Sequence, residues 1–217
     1  MSCDCRVTAA IFAASVLLGC SGSPRPTTPE DPFRAIGIAP LPTVALAGRS
    51  VLLLPVGALV LSDSAARNAD LVARQFALKT TAGSVLDSAL RRRAPAVTWL
   101  GLAEQRRALR MAPALGIEPE RLEASYLMSP RVEALADPLW AQLRTLSSMM
   151  NTSLALAPAA VRLDQSGGTY SAEYVLVVVD CREGQVEGRG RVPGPQAATP
   201  EAALAAAAAA AVPQTGP

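Results

Sequence analysis

The chain has 217 residues, of which 50% are hydrophobic, and its formal net charge is +2. A charge so near neutrality gives no basis for nucleic-acid binding, whereas the apolar fraction is sufficient for a buried core. The sequence contains no histidine, which excludes Ser-His-Asp and Cys-His catalysis and every metal site that requires an imidazole.

The amino terminus has the parts of a secretory signal: a short head containing Arg6, then an apolar run over residues 9–18. The run closes with Leu17, Leu18, Gly19 and Cys20. This ending resembles the lipobox of bacterial lipoproteins, in which the cysteine is lipidated and becomes the first residue of the mature protein. The resemblance implies a signal peptide over residues 1–19 and acyl chains on Cys20.

The apolar run is about half of the ~20 residues that cross a bilayer, which argues against a transmembrane helix. A soluble secreted protein cut near Cys20 is the remaining alternative. Ser21, rather than aspartate, follows the cysteine. By resemblance to lipoprotein sorting in two-membrane bacteria, this favours the outer membrane, with the domain facing the periplasm. Several acyl chains would hold firmly, because each buried CH₂ contributes roughly 0.8 kcal/mol.

Residues 20–49 are rich in proline, threonine, alanine and glycine without a hydrophobic period, which predicts a flexible tether. A folded domain is expected over residues 50–193. It opens with a continuous apolar run at residues 51–56, typical of a strand buried on both faces. Pro55 places this strand near a sheet edge or marks the strand's end.

Apolar residues at helical spacing predict a helix over residues 69–93, in which Gly83 is the expected break. A short strand over residues 97–100 and a basic helix over residues 102–110 follow. Residues 112–137 are punctuated by prolines and look like an insertion containing one short helix.

Asp137 and Pro138 suit a helix start, with an N-cap oxygen followed by proline, and the helix is expected to run to about Met150. Its apolar stripe consists of Leu139, Leu143, Leu146 and Met150.

The third strand is expected at residues 154–163, and a turn at residues 166–168 connects it to a strand ending at Val179. An antiparallel partner follows over residues 185–192, with Val186 and Val192 expected on one face. Residues 194–217 are predicted to form a helix and tail. The helix is almost pure alanine, so loose packing is expected, because alanine offers little apolar bulk.

Three segments carry a family resemblance: the apolar strand at residues 51–56, the helix and strand of residues 143–158, and the strand and turn of residues 175–189. They resemble the α/β domain of the TolB amino-terminal domain, the curli secretion lipoprotein and the penicillin-binding-protein activator lipoproteins. The resemblance spans roughly residues 50–193 and implies an α/β fold, with a mixed sheet of about five strands and helices packed on it. It also implies a partner in envelope assembly, secretion or cell-wall synthesis.

The sequence has one basic concentration, made of Arg91, Arg92, Arg93, Arg106, Arg107 and Arg110. A solvated helical face is the simpler interpretation. The alternative is contact with an acidic partner, lipopolysaccharide or peptidoglycan. Nucleic acid is disfavoured, because aromatic residues other than Trp99 do not interleave with these arginines.

No catalytic residue, metal ligand or cofactor motif is predicted. Lys79 lacks the spacing of a serine–lysine dyad, and Glu118, Glu120 and Glu123 suit a solvated face. Cys181 is interpreted as a small, partly buried residue at a strand end, with an intermolecular disulfide as the alternative.

The sequence therefore predicts a non-enzymatic lipoprotein of the cell envelope that acts as a binding or assembly module for a protein or peptidoglycan partner. It would be held at the membrane by its lipid anchor, and a homo-oligomer is left open. The alternative is an oligomeric secretion-channel subunit resembling the curli secretion lipoprotein. A periplasmic hydrolase is disfavoured by the missing histidine.

Overall fold

A computed structural model of the protein describes residues 31, 33–122 and 124–213. The described residues contain the strands β1 Ser50–Leu53, β2 Ala58–Leu61, β3 Thr98–Leu100, β4 Leu154–Ser166, β5 Thr169–Asp180 and β6 Gln185–Pro193. They also contain the helices α1 Thr43–Leu46, α2 Asp63–Ala66, α3 Ala69–Ala73, α4 Gln75–Arg93, α5 Leu102–Arg110, α6 Leu139–Met149 and α7 Pro200–Ala211.

The strands form one mixed sheet in the order β3-β1-β4-β5-β6, with β2 also paired to β4. β1 runs parallel to β3 and β4, whereas β4, β5 and β6 are antiparallel neighbours. The predicted α/β class with a mixed sheet is confirmed. Pro55 lies just after the end of β1, which is an interior strand of the sheet.

β2 is a sixth strand because the chain stays against β4 after β1 ends. The Leu54 and Gly57 amides donate to the carbonyls of Leu156 and Pro158, at 3.0 and 2.9 Å. Gly57 permits this approach, since a Cβ there would overlap the Ala159 carbonyl oxygen.

Helices cover both faces of the sheet. The first face packs against α4 and α7, whose buried side chains join those of β4 and β5. The second face packs against α5, α6 and the loop of residues 112–137. The helix predicted over residues 69–93 therefore lies on one face, and the α6 stripe of Leu139, Leu143 and Leu146 is buried on the other.

The predicted helix over residues 69–93 is interrupted at Arg74, not at Gly83. Asn68 caps α3, accepting hydrogen bonds from the Asp70 and Leu71 amides, and Arg74 lies between the two helices. Gly83 lies inside α4 beside the buried Ala82. Glycine costs only about 1 kcal/mol relative to alanine in a helix, so packing of α4 overrides it.

Val186 and Val192 face opposite sides of the sheet, so their predicted common face is wrong. Val192 belongs to the core under α4 and α7, whereas Val186 packs against the core under α6. The register of β5 with β6 shifts between Val178 and Val179. Such a bulge inserts one residue and reverses the side-chain alternation beyond it.

The segment predicted as a tether, residues 20–49, is packed on the domain from Phe33 onward. Phe33 and Ile36 are buried on the face of α6, and Leu41 and Leu46 on the face of α4. These four side chains have no regular spacing, so periodicity did not reveal them. Residues 20–30 lie outside the described residues, and their role as a tether stays a prediction.

The alanine-rich helix α7 is tightly packed, contrary to the expected loose end. Its buried residues are Pro200, Ala203, Leu204, Ala207, Ala208 and Ala211. A Cβ at Gly194 would lie 2.5 Å from the Ala207 Cα atom. Small side chains let backbones approach closely, so this helix gains contacts by proximity rather than by side-chain size.

Candidate interaction surface

The predicted lipidation residue Cys20 and the preceding Leu17, Leu18 and Gly19 lie outside the described residues. Lipidation of Cys20 therefore stays a prediction. Among the residues that the structure describes, no helix has the length and apolar character needed to span a bilayer.

The six predicted contact arginines lie at the end of α4 and along α5. Three of them are engaged within the domain. The Arg91 guanidinium contacts the Asp87 and Glu104 carboxylates at 2.9 and 3.2 Å, and Arg106 pairs with Glu120. The Arg93 guanidinium donates to the carbonyls of Ala209 and Val212, at the end of α7 where the helix dipole favours a cation.

Arg92, Arg107 and Arg110 are exposed and have no ion pair with any described residue. Exposed ion pairs such as Arg91–Glu104 contribute little stability. The basic concentration therefore divides into three arginines that link α4, α5 and α7 to their neighbours and three that face solvent.

A groove of about 740 Å³ lies between the turn that follows α5 and the outward side of α6. Its lining includes Ala112, Leu115, Trp140, Ala141, Arg144 and Met149. Leu115 is 43% exposed and Met149 is 37% exposed, and Met111, beside the groove in sequence, is 86% exposed. Flexible, polarisable methionines at exposed positions are typical of surfaces that accept apolar partners.

Local structure explains why these apolar side chains remain outside. A 3₁₀ helix spans Pro113–Leu115 and is followed by Gly116, whose φ of +62° is the left-handed conformation that glycine adopts freely. This turn holds Leu115 at the surface. The sequence predicts an insertion over residues 112–137 but no groove. The signal that indicates a groove is the pair of methionines at positions 111 and 149.

Trp140 forms a fixed wall of the groove. Its ring lies against the turn between β5 and β6, where a Cβ at Gly184 would be 2.8 Å from the indole Nε1 atom. The Nε1 atom is buried and has no hydrogen-bond partner among the described residues. The ring is thus held by packing, and its position is set by a glycine at a turn whose φ is +69°.

The groove combines apolar walls with positive charge. Arg144 lines it, is exposed, and has no ion pair with a described residue. Arg110 precedes Ala112 of the groove by two positions. Asp137 is the acidic residue of the lining, and its carboxylate accepts the Ala141 amide at the start of α6, at 3.3 Å. This composition suits a partner with apolar and acidic side chains.

A polar cluster around Asp164 is structural. The Ser62 and Ser64 hydroxyls donate to its carboxylate at 2.5 and 2.7 Å, and Ser62 caps α2. These hydrogen bonds, led by that from Ser62, lower the pKa of Asp164. A carboxylate with a lowered pKa is a poor general base. Asp164 lies within β4, whereas the Asp180 carboxylate accepts the amides of Arg182 and Glu183 in the turn after β5.

In the part of the chain that the structure describes, no three His, Cys, Asp or Glu side chains lie close enough together to hold a metal ion.

Cys181 is fully buried beside the end of β5. Burial raises the pKa of its thiol to about 12. We therefore expect this cysteine to resist iodoacetamide at neutral pH in the folded protein and to react in denaturant, because the thiolate is the reactive form. Peptide mass spectrometry of Cys181 measures the difference. Rapid labelling under native conditions would instead show an accessible thiol, which an intermolecular disulfide requires.

Comparison with known proteins gives no family assignment: no family model and no curated protein matches the chain. Among solved structures, the LpoB C-terminal domain from Salmonella enterica aligns with a TM-score of 0.37 and 13% identity, covering 68% of this chain and 83% of that chain. Lipoprotein GNA1162 from Neisseria meningitidis aligns with a TM-score of 0.37 and 12% identity, covering 70% and 85%. The NMR structure of Escherichia coli LpoB aligns with a TM-score of 0.39 and 11% identity, covering 88% and 84%.

All three TM-scores are below 0.5, so these likenesses establish neither a common family nor a common function. The mixed α/β architecture rests on the strand order and register of this chain. The finer resemblance to the TolB amino-terminal domain and the curli secretion lipoprotein stays a prediction.

Proposed function

We propose that this protein is a non-enzymatic lipoprotein of the cell envelope whose domain binds another envelope protein. Acyl chains on Cys20 would hold it at the outer membrane, with the domain in the periplasm. The observation that carries the proposal is the groove beside α6, in which exposed apolar side chains occur together with Arg144, with which no described carboxylate pairs.

The groove supports a binding function because monomeric domains rarely leave clustered large apolar side chains in water. Leu115 and Met149 line one groove rather than being scattered over the surface. Arg144 would add specificity for an acidic partner, since charge complementarity steers encounter and suppresses wrong partners. Arg107 and Arg110, two of the predicted contact arginines, extend this charge along α5.

A non-enzymatic role is supported by the residues that the chain offers. The sequence has no histidine, Cys181 is buried with a raised pKa, and Asp164 is held by two serines at the start of α2. The Cys181 thiol, a possible nucleophile, is therefore packed in the core. The Asp164 carboxylate, a possible base, accepts the serine hydroxyls instead. The alternative of a secretion-channel subunit has no comparable support, since both hairpins, β4–β5 and β5–β6, are integrated into the domain's sheet.

The partner is tested by photo-crosslinking in cells. A benzophenone amino acid at Ala141, an exposed groove residue, is expected to give one discrete adduct. Ala210, an exposed alanine on α7, is the matched control and is expected to give none. Arg144→Glu should abolish the Ala141 adduct, whereas Arg182→Glu, an exposed arginine beyond β5, should leave it unchanged. Mass spectrometry of the adduct identifies its partner.

Equal adducts from Ala141 and Ala210, or an Ala141 adduct that survives Arg144→Glu, would contradict the groove as the binding site. An adduct of twice the protein's own mass would identify a second copy as the partner.

Fractionation of the same cells tests the anchor: the Cys20→Ala variant is expected in the soluble fraction and the unmodified sequence in the membrane fraction.

A further inference from the structure

A second exposed apolar surface lies at the corner where α3 meets α4. Phe76 is 82% exposed and Val72 is 48% exposed. Ala69 and Ala73 of α3 and Ala77 of α4 are exposed as well, and the spacing of three to four residues places Ala69, Val72 and Ala73 on one side of α3. Leu71 and Leu78 point the other way and are buried in the core under α4. We call Val72, Phe76 and these three alanines the apolar corner.

The apolar corner lies near the point at which the chain enters the domain. The Asp31 carboxylate pairs with Arg162 of β4 at 2.5 Å. The Asn68 side chain, directly before α3, donates to Gln165 of the same strand at 3.1 Å. Three residues along a strand span about 10 Å. Arg162 and Gln165 point to opposite faces of β4, but Asp31 also lines one cavity with Asp63 and Arg67, which directly precedes Asn68. The first described residue therefore lies near the start of α3.

The length of chain before Asp31 restricts where this end of the domain can be. Residues 21–30 separate it from Cys20, and a chain of this length reaches at most about 40 Å. If Cys20 carries the acyl chains, as the proposed function states, Asp31 cannot move farther than this from the bilayer. The part of the domain that carries the apolar corner then stays within reach of the lipid surface.

We propose that the apolar corner inserts Phe76 and Val72 into the headgroup region of a phospholipid bilayer and fixes the orientation of the anchored domain. Amphipathic helices bury apolar side chains roughly 5–10 Å into this boundary. The two side chains would supply the apolar area, and the acyl chains of Cys20 would keep it at the surface. This inference rests on the proposed function, because it requires the anchor.

Charge around the apolar corner favours neither an acidic nor a basic protein partner. Arg74 pairs with Asp70 and with Glu201 of α7. The other charged side chains near it in sequence are Asp63, Arg67 and Lys79. With both signs present and partly paired, attraction must come from apolar area, so contact with lipid is expected to be insensitive to salt.

The proposed orientation leaves the groove accessible. The apolar corner belongs to the helices that cover the first face of the sheet, whereas α6 and the groove lie on the second face. Phe76 can therefore contact lipid while Arg144 and Met149 remain open to a partner.

The test uses the full chain as cells produce it, with the mass of its amino terminus measured, in vesicles of phosphatidylethanolamine and phosphatidylglycerol with and without bromine on the acyl chains. Bromine quenches tryptophan at close range. We expect Phe76→Trp to lose emission in brominated vesicles and to shift to shorter wavelength. Met111→Trp replaces an equally exposed residue beside the groove and should show neither change. Trp99 and Trp140 give a background that the unmodified sequence supplies for subtraction.

Each outcome decides between the two proposals. A Phe76→Trp variant that floats with the vesicles but is not quenched, or is quenched no more than Met111→Trp, overturns the membrane contact and leaves the anchor standing. Protein that does not float, and whose mass shows an unmodified Cys20, overturns the anchor and the membrane contact together. Quenching that disappears at high salt would contradict the apolar basis of the contact and assign it to charge.

Discussion

Replacement of Ala207 by leucine is expected to lower the free energy of unfolding by about 3 kcal/mol, the upper part of the usual range for overpacking. Ala207 is fully buried on α7, and its backbone lies so close to Gly194 that a single added carbon there would overlap it. A leucine side chain would have to displace α7 from β5 and α4, which it contacts along its length. Urea unfolding followed by circular dichroism measures the loss.

Ala210→Leu is the matched control, because Ala210 lies on the same helix and is exposed. Alanine and leucine are both strong helix formers, so helix propensity is nearly unchanged. Its expected effect is within about 0.5 kcal/mol, as for ordinary surface substitutions. Equal effects of the two leucines would show that α7 is not held tightly, as the alanine composition alone suggested.

Replacement of Arg189 by methionine is expected to cost about 2–3 kcal/mol, since hydrogen bonds from charged groups contribute about 1.5–3 kcal/mol each and water can replace part of this set. The Arg189 guanidinium of β6 donates to the carbonyls of Leu127, Pro130 and Val132, at 2.9, 3.2 and 2.6 Å. Burial lowers the pKa of this guanidinium from its ordinary value, which lies so high that the group stays charged. Methionine keeps most of the side-chain length and removes the donors.

The effect of Arg189→Met should be greatest in the loop that Arg189 holds. Residues 125–132 are expected to exchange amide hydrogens faster, whereas α4 and α7 on the other face keep their protection. Arg182→Met is the control, since Arg182 is exposed and no described residue bonds to its side chain. Unchanged exchange in residues 125–132 would show that packing of Leu127 alone holds the loop.

The two proposed surfaces assign different tasks to different faces of one domain. The apolar corner would set the orientation of the domain on the bilayer, and the groove beside α6 would bind the partner. A domain that is both tethered and oriented presents its groove at a fixed height, which raises the effective concentration for a membrane-associated partner. Loss of Phe76 would then weaken partner binding without a contact to the partner.

The amino-acid sequence by itself determined the class of the fold and most of its elements. Continuous apolar runs predicted β1, β4 and β5, and helical spacing predicted α4 and α6. The basic helix predicted over residues 102–110 has the bounds of α5. These elements follow from local periodicity, because burial on two faces or on one stripe leaves a distinct spacing of apolar residues. The absence of histidine likewise restricts the chemistry that the chain can perform, whatever its fold.

Tertiary structure alone decided how close the elements come and which charges remain free. α7 packs tightly because Gly194 lies beneath Ala207, Val186 is turned to the second face by a bulge, and Phe33 is buried although its segment has no period. Arg91 and Arg107 look alike in sequence, but Glu104 pairs with the first and no described residue pairs with the second. Distances between residues far apart in the chain set these outcomes, and local spacing carries no information about such distances.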